Sequence, residues 1–408
     1  MPNIYKPLFL FNSLYEATNP VGIQSRRFVD ALKKIEVVPE IFCKHTIFGA
    51  SISEKENIHF IKEIPHKNIS AVIRRLFSDL FLLPDIERYT YLPFLKKELN
   101  SVNNFNNYDW IHTISNPCSS HLAGLFLKRK TNLPWVAQFY DPWVGNSYRK
   151  FRTDFFKKQD EKIEFEIANN ADIIIHTNDI IKNNWIQRYG DILSDKIFVL
   201  PFSYDENVEI ELYNTEQSNL LEKRISVLYV GNLYLDRNLD DLIKAIIILK
   251  SKIPNLEKKI VFRFVGIVSN HDKENIKQNR LDNLFELFGQ KSYNHLAEYY
   301  KNADVLLVID APAKENIFFP SKLIEYFMYK KPILGISPKI SVTHNLLIES
   351  GNISIENGNI EEIVEYLVAL LNNSKLLLNS DYYKRFSPNI LANEYIEMIE
   401  QYLIKRSR

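Results

Sequence analysis

One short run places a cation and a carboxylate at helical spacing: Phe318-Phe319-Pro320-Ser321-Lys322-Leu323-Ile324-Glu325-Tyr326-Phe327. Pro320 suits the first position of a helix, where a missing N–H costs nothing. Lys322 then falls in the first turn, and Glu325 follows about 4.5 Å along the axis. Cation first and carboxylate next suits a diphosphate followed by a ribose. The same spacing also serves an ordinary helix with a solvated lysine and glutamate. The apolar run Val305–Ile309 ahead of it reads as a buried strand, and Lys331-Pro332 ends the helix before a second strand, Ile333–Ile336. A helix N-terminus at the carboxyl end of a strand is where a doubly wound sheet binds anions.

The same reasoning marks other positions. Ser115, Asn116, Tyr140 and Asp141 follow apolar runs at 110–114 and 134–139 and would lie at carboxyl ends of strands, where ligands bind. Asp141 is the candidate to orient or deprotonate an acceptor group; a structural Asp capping its own turn is the alternative. Gly231, Gly266 and Gly289 each close an apolar run in a chain with only 11 glycines. Glycine there lets the backbone turn sharply or approach a ligand. His112 sits inside its strand and His121 at a helix start, which favours structural roles for both.

Composition narrows the class of function. With 408 residues the chain suits two domains rather than one core. A net charge of +1 offers no general argument for nucleic acid. Cys43 and Cys118 form no motif, so a reduced, cytoplasmic setting is expected. No apolar run approaches the roughly 20 residues of a membrane span. There is no G-x-G-x-x-G and no P-loop, which leaves dinucleotide and Walker-type phosphate binding unsupported. No Asp-x-Asp occurs, and no other divalent-metal motif is evident.

Pro320-Ser321-Lys322-Leu323-x-Glu325-Tyr326, followed by Lys331-Pro332-Ile333, resembles the donor-site helix of retaining, nucleotide-sugar-dependent glycosyltransferases of the GT-B fold, family 4 and its relatives. Three further stretches agree in order: Val227 to Leu233 with Asp236-Arg237-Asn238-Leu239, Ala303 to Leu307, and Pro134 to Trp143 with its Asp141-Pro142-Trp143. The resemblance implies two Rossmann-like, doubly wound parallel-sheet domains facing a central cleft. It implies an enzyme, a hexosyltransferase, with a nucleotide diphosphate sugar as co-substrate, a glycan or lipid-linked acceptor, and no metal or resident cofactor. Surface-polysaccharide or glycolipid assembly is the implied process.

On matching positions, the resemblance assigns Gly22, Gly231, Asn232, Arg237, Gly266, Lys291, Phe319, Lys322 and Glu325 to the donor, and Ser115, Asn116, Tyr140 and Asp141 to the acceptor side. Arg237 and Lys322 would stabilise charge on the leaving phosphate. Two departures stand out. The family's Gly-Arg reads Gly231-Asn232 here, with Arg237 later. The first glutamate of its Glu-x7-Glu falls at Ile317, and Glu315 lies two residues early. The second departure keeps open an inactive GT-B partner that only binds nucleotide sugars; a nucleotide-sugar epimerase of the same fold is the other alternative.

Strand–helix alternation with short polar joins predicts parallel sheets. The expected division is 1–203 for the first domain, 204–224 for a linker, 225–386 for the donor domain and 387–408 for a helix crossing back to the first domain. Residues 20–24 are expected as a loop and 25–34 as a helix. Residues 69–83 carry apolar residues on one helical face and Lys67, Arg74 and Arg75 beside it, which suits either packing on the sheet or peripheral contact with an anionic membrane at the inner face.

Overall fold

The structure, a computed structural model, describes residues 4–12, 14, 20–44, 57–61, 84–146, 153–206, 224–233, 236–292, 295–372 and 381–407. The amphipathic segment 69–83 and most of the 204–224 linker lie outside these. The chain forms two compact units: 1–203 together with 386–408, and 204–385.

The first unit is built on seven strands: β1 (Leu8–Leu10), β2 (Glu40–Lys44), β3 (Ile58–Ile61), β4 (Ile111–Ser115), β5 (Trp135–Phe139), β6 (Ile173–His176) and β7 (Ile197–Val199). All pair in parallel in the order β3-β2-β1-β4-β5-β6-β7. The central strands β4, β5 and β6 are buried at every residue. That is why they read as mainly apolar runs rather than alternating ones, with His112, Thr113, Ser115, Gln138 and His176 buried among them.

The last helix, Pro388–Ser407, packs into this unit through Leu391, Ala392, Tyr395 and Ile399. Its anchor is polar. The Tyr395 hydroxyl takes the indole N–H of Trp110 at 2.8 Å and meets His112 Nδ1 at 2.7 Å, while His112 Nε2 meets Gln138 Oε1 at 3.1 Å. Burial pushes the His112 imidazole down to about 3, so it is neutral and structural. His121, bonded to Thr113 Oγ1 at 2.8 Å, is likewise buried and neutral.

One local expectation is corrected here. Residues 20–24 are helical, within the helix Pro20–Lys34. Pro20 opens that helix by the same rule applied to Pro320, and Gly22 therefore sits in a first helical turn rather than in a loop. Gln24 and Arg27 of that helix reach Ser203: Gln24 Nε2 and Arg27 Nη1 donate to the Ser203 carbonyl at 3.2 and 3.0 Å.

The second unit is a six-stranded parallel sheet, β10-β9-β8-β11-β13-β15, made of β8 (Ile225–Val230), β9 (Ile260–Val265), β10 (Phe285–Gly289), β11 (Val305–Ile309), β13 (Ile333–Ile336) and β15 (Ile353–Ile355). The order runs outward from the β8–β11 pair in both directions, so the chain reverses its winding there. This is the topological switch point at which doubly wound sheets bind ligands. A two-stranded ladder not foreseen from sequence, β12 (Glu315–Asn316) with β14 (Ile340–Ser341), stands apart from the main sheet. Among the described residues no helix is long and apolar enough to cross a membrane.

Candidate active site

The helix Ser321–Met328 is fixed at its first turns by residues four apart on one face. The Tyr326 hydroxyl accepts the Val230 N–H at 3.0 Å, and Lys322 Nζ donates to the Val230 carbonyl at 3.3 Å. Both bonds join the helix to the last residue of β8. The Lys322 ammonium also lies 4.1 Å from the ring centroid of Tyr229, a cation–π distance.

This approach needs Gly231. A Cβ built there would stand 3.1 Å from Lys322 Nζ, at a backbone φ of +135°. Gly266 is tighter still. A Cβ on it would meet the Gly231 carbonyl oxygen at 2.0 Å, at φ +136°. The two strand ends are therefore zipped together: Gly231 N–H to Val265 O at 2.8 Å, Ile267 N–H to Asn232 Oδ1 at 2.9 Å and Leu233 N–H to Ile267 O at 2.8 Å. The Asn232 side chain thus closes the loop itself.

Arg237 arrives from the loop after β8. Its Nη2 lies 3.9 Å from Asp310 Oδ1, and its guanidinium hydrogen-bonds the Tyr229 hydroxyl. Asp310 directly follows β11 and is 2% exposed. Lys322 joins this group. Burial, then the Arg237 charge, pushes its amine down to about 7, while the Asp310 carboxylate holds it up. Two residues from motifs about 85 positions apart thus share one electrostatic neighbourhood at the ends of β8 and β11. An arriving anion would restore the full charge on Lys322.

Other candidates on this unit are placed less tightly. Glu325 sits one turn beyond Lys322 and is half-buried. Phe319 is buried at 9% exposure, and so is Ile317, where a first glutamate would stand. Glu315 is exposed and held in the β12–β14 ladder opposite Ile340. Lys291 is exposed, just past β10.

On the first unit, Asn116 and Asp141 do meet: Asn116 Nδ2 donates to Asp141 Oδ2 at 2.8 Å. Burial nonetheless raises the Asp141 carboxyl from its ordinary value, the direction a general base needs. Ser115 is the last residue of β4 rather than the first beyond it, and is fully buried. Tyr140 packs into the core, edge-on to Phe202 at 5.0 Å.

Sequence reasoning missed Asp310, Tyr229 and Tyr326 as members of the site. A signal existed for the first: Asp310 ends the apolar run of β11, where a buried strand delivers a polar residue to the carboxyl edge of the sheet.

Two doubly wound parallel sheets, one in each unit, give the chain the GT-B fold. The family described as Glycosyl transferases group 1 matches residues 211–389, most of the second unit. A search of curated proteins finds no match. Among solved structures, the sucrose-phosphate synthase of Thermosynechococcus elongatus is 15% identical, with a TM-score of 0.63, covering 98% of this chain and 100% of that one. The lipopolysaccharide outer core galactosyltransferase WaaB in its apo form is 14% identical, with a TM-score of 0.64 and coverage of 97% and 99%. A UDP-GlcNAc 2-epimerase from Neisseria meningitidis bound to UDP-GlcNAc has a TM-score of 0.55 at 12% identity, covering 97% of this chain and 100% of that one. At these identities the likeness is one of fold.

Proposed function

We propose that the chain transfers a hexosyl-type sugar from a nucleotide diphosphate sugar to a glycan or lipid-linked acceptor, with retention of configuration and without a metal. The convergence of Arg237 and Lys322 beside Asp310 at the β8–β11 switch point carries this reading. Cleaving a sugar–diphosphate bond develops negative charge on the leaving phosphate, and fixed cations in a buried site stabilise that charge. Asp141 is assigned the acceptor hydroxyl, with Asn116 orienting its carboxyl. On the same reading the departing phosphate assists attack on its own face, so the two-carboxylate scheme of hydrolases is not needed. A lipid-linked acceptor would bring the chain to a membrane surface, as in surface glycolipid or polysaccharide assembly.

The test is calorimetry with a panel of nucleotide diphosphates, followed by a screen for donor turnover. Binding with release of free nucleotide supports transfer. Binding with an epimerised sugar, or with no turnover, supports the epimerase or the inactive partner. The apolar Ile317 at the glutamate position is the observation that favours the last of these.

Glu325 is assigned the ribose hydroxyls. Charge-assisted hydrogen bonds of this kind contribute roughly 1.5–3 kcal/mol each. Glu325→Gln is expected to weaken nucleotide diphosphate binding by about tenfold or more while the melting temperature stays put. Unchanged affinity removes the ribose assignment.

Activity is also expected to survive EDTA. The sequence has no Asp-x-Asp, and no group of three metal-type ligands gathers among the described residues. Complete loss in chelator, restored by Mg²⁺ or Mn²⁺, would refute a metal-free reaction.

A further inference from the structure

Asp310 is the carboxylate that pairs with Arg237 and whose charge also acts on Lys322. It is 2% exposed, and its Oδ2 is buried without a hydrogen-bond partner. Its other oxygen stands 3.9 Å from Arg237 Nη2, which is an ion pair but not a hydrogen bond. A buried carboxylate in this state is costly unless nearby charges hold it. The charges at hand are Arg237 and Lys322. Both therefore have an electrostatic reason to stay at the end of β11 when no ligand is bound. Being covered, Asp310 itself cannot reach a ligand from solvent.

We propose that Asp310 is a positioning residue for the donor phosphates: paired with Arg237 and beside Lys322, it gathers the two cations into one unit at the end of β11. This rests on the donor-site reading of the two cations. Among the described residues, four titratable groups face Lys322. They are Arg237 from the loop after β8, Asp310 from the end of β11, Tyr229 from within β8, and Tyr326 on its own helix. Glu325, on the same helix, acts on Tyr326 and is not among the charges that shift Lys322.

The sign of the coupling follows. With its amine pushed down to about 7, Lys322 must gain a proton as an anion binds at higher pH. Affinity is then full below that value and falls as pH rises through it. Asp310 opposes the downward push of burial and Arg237, so its removal lowers the value further.

The experiment is calorimetry between pH 6 and 8 with UDP-glucose, GDP-mannose, ADP-glucose and dTDP-glucose, whose diphosphate diesters do not titrate in that window. Wild-type affinity for the donor that binds is expected to fall about tenfold from pH 6 to 8. Asp310→Asn, nearly isosteric, is expected to bind about twofold more weakly at pH 6 and about tenfold more weakly at pH 8, a midpoint about one unit lower. Arg237→Gln removes a repelling charge and is expected to flatten the pH dependence relative to wild type, which keeps the idea testable if Asp310→Asn does not fold. Loss of a purely structural Asp310 would lower the melting temperature and leave the pH midpoint in place; that result, or tighter binding by Asp310→Asn at every pH, overturns the proposal. If the wild type binds none of the four, the donor reading fails and takes this inference with it. Wild-type binding with an unshifted Asp310→Asn midpoint ends the inference alone.

Discussion

Replacing Lys322 by alanine is expected to slow sugar transfer by roughly 10²–10³-fold, by analogy with loss of one oxyanion donor. Arg237→Ala should cost a similar factor. The charge they oppose grows as the sugar–phosphate bond breaks, so the loss should fall mainly on kcat and less on donor affinity. Lys322 is held in place by the Val230 carbonyl, the Tyr229 ring and the space left by Gly231. No flexible surface lysine has such a setting, and truncating one would change little, about 0.5 kcal/mol at most. Because both cations act on one charge, the double variant should lose far less than the product of the two single losses. Steady-state kinetics on the four proteins of this cycle, with melting temperatures alongside, check the expectation. Near-wild-type kcat in Lys322→Ala would end the shared-diphosphate assignment even though the fold stands.

Gly266→Ala is expected to be the most damaging small substitution in the second unit. Its added methyl would sit 2.0 Å from the Gly231 carbonyl oxygen, and the residue would have to keep φ near +136°. Backbone cannot swing aside as a side-chain tip can. Relief would require β8 and β9 to part at their carboxyl ends, where Gly231 N–H meets Val265 O at 2.8 Å. Steric strain and lost bonds together suggest about 3 kcal/mol or more. At 2–4 °C per kcal/mol for a unit of this size, that is a fall of about 6–12 °C in melting temperature. Gly289→Ala is the control: its φ is +67°, but no atom of the described residues lies within 4 Å of the added carbon. It should cost only the left-handed backbone, about 1 kcal/mol. Equal melting temperatures for the two variants would show that the Gly231–Gly266 contact is not as close as described. Nucleotide affinity should fall in Gly266→Ala as well, since the displaced Gly231 is what gives Lys322 its place.

Much of this molecule is written locally. The strands β11 and β13 lie where unbroken apolar runs put them, because a strand buried on both faces has no polar side to show; β8 and β9 follow the same rule around a single polar residue each, Ser226 and Arg263. The start of the helix after Pro320 follows from proline chemistry, but the helix ends at Met328, with Lys330 turned into the left-handed region at φ +52°, ahead of Lys331-Pro332. Proline also explains the one local misreading, at 20–24. There Pro20 opens a helix, and a glycine two residues later reads equally well as a turn until the helix is seen to run through it.

Pairings between distant segments were a different matter. The apolar run 305–309 marks Asp310 as a polar residue at the carboxyl edge of the sheet and says nothing of its partners. The place of Asp310 beside Arg237 and Lys322 depends on β11 lying against β8, a contact between segments about 80 positions apart. The same holds for the 2.0 Å approach at Gly266, which is set by the register of β8 on β9. The sequence by itself determined which residues could carry charge and where each strand would deliver them. Only the tertiary structure decided which of them meet, because a meeting is fixed by strand order and register, and these are settled by the packing of the whole sheet rather than by any window of the chain.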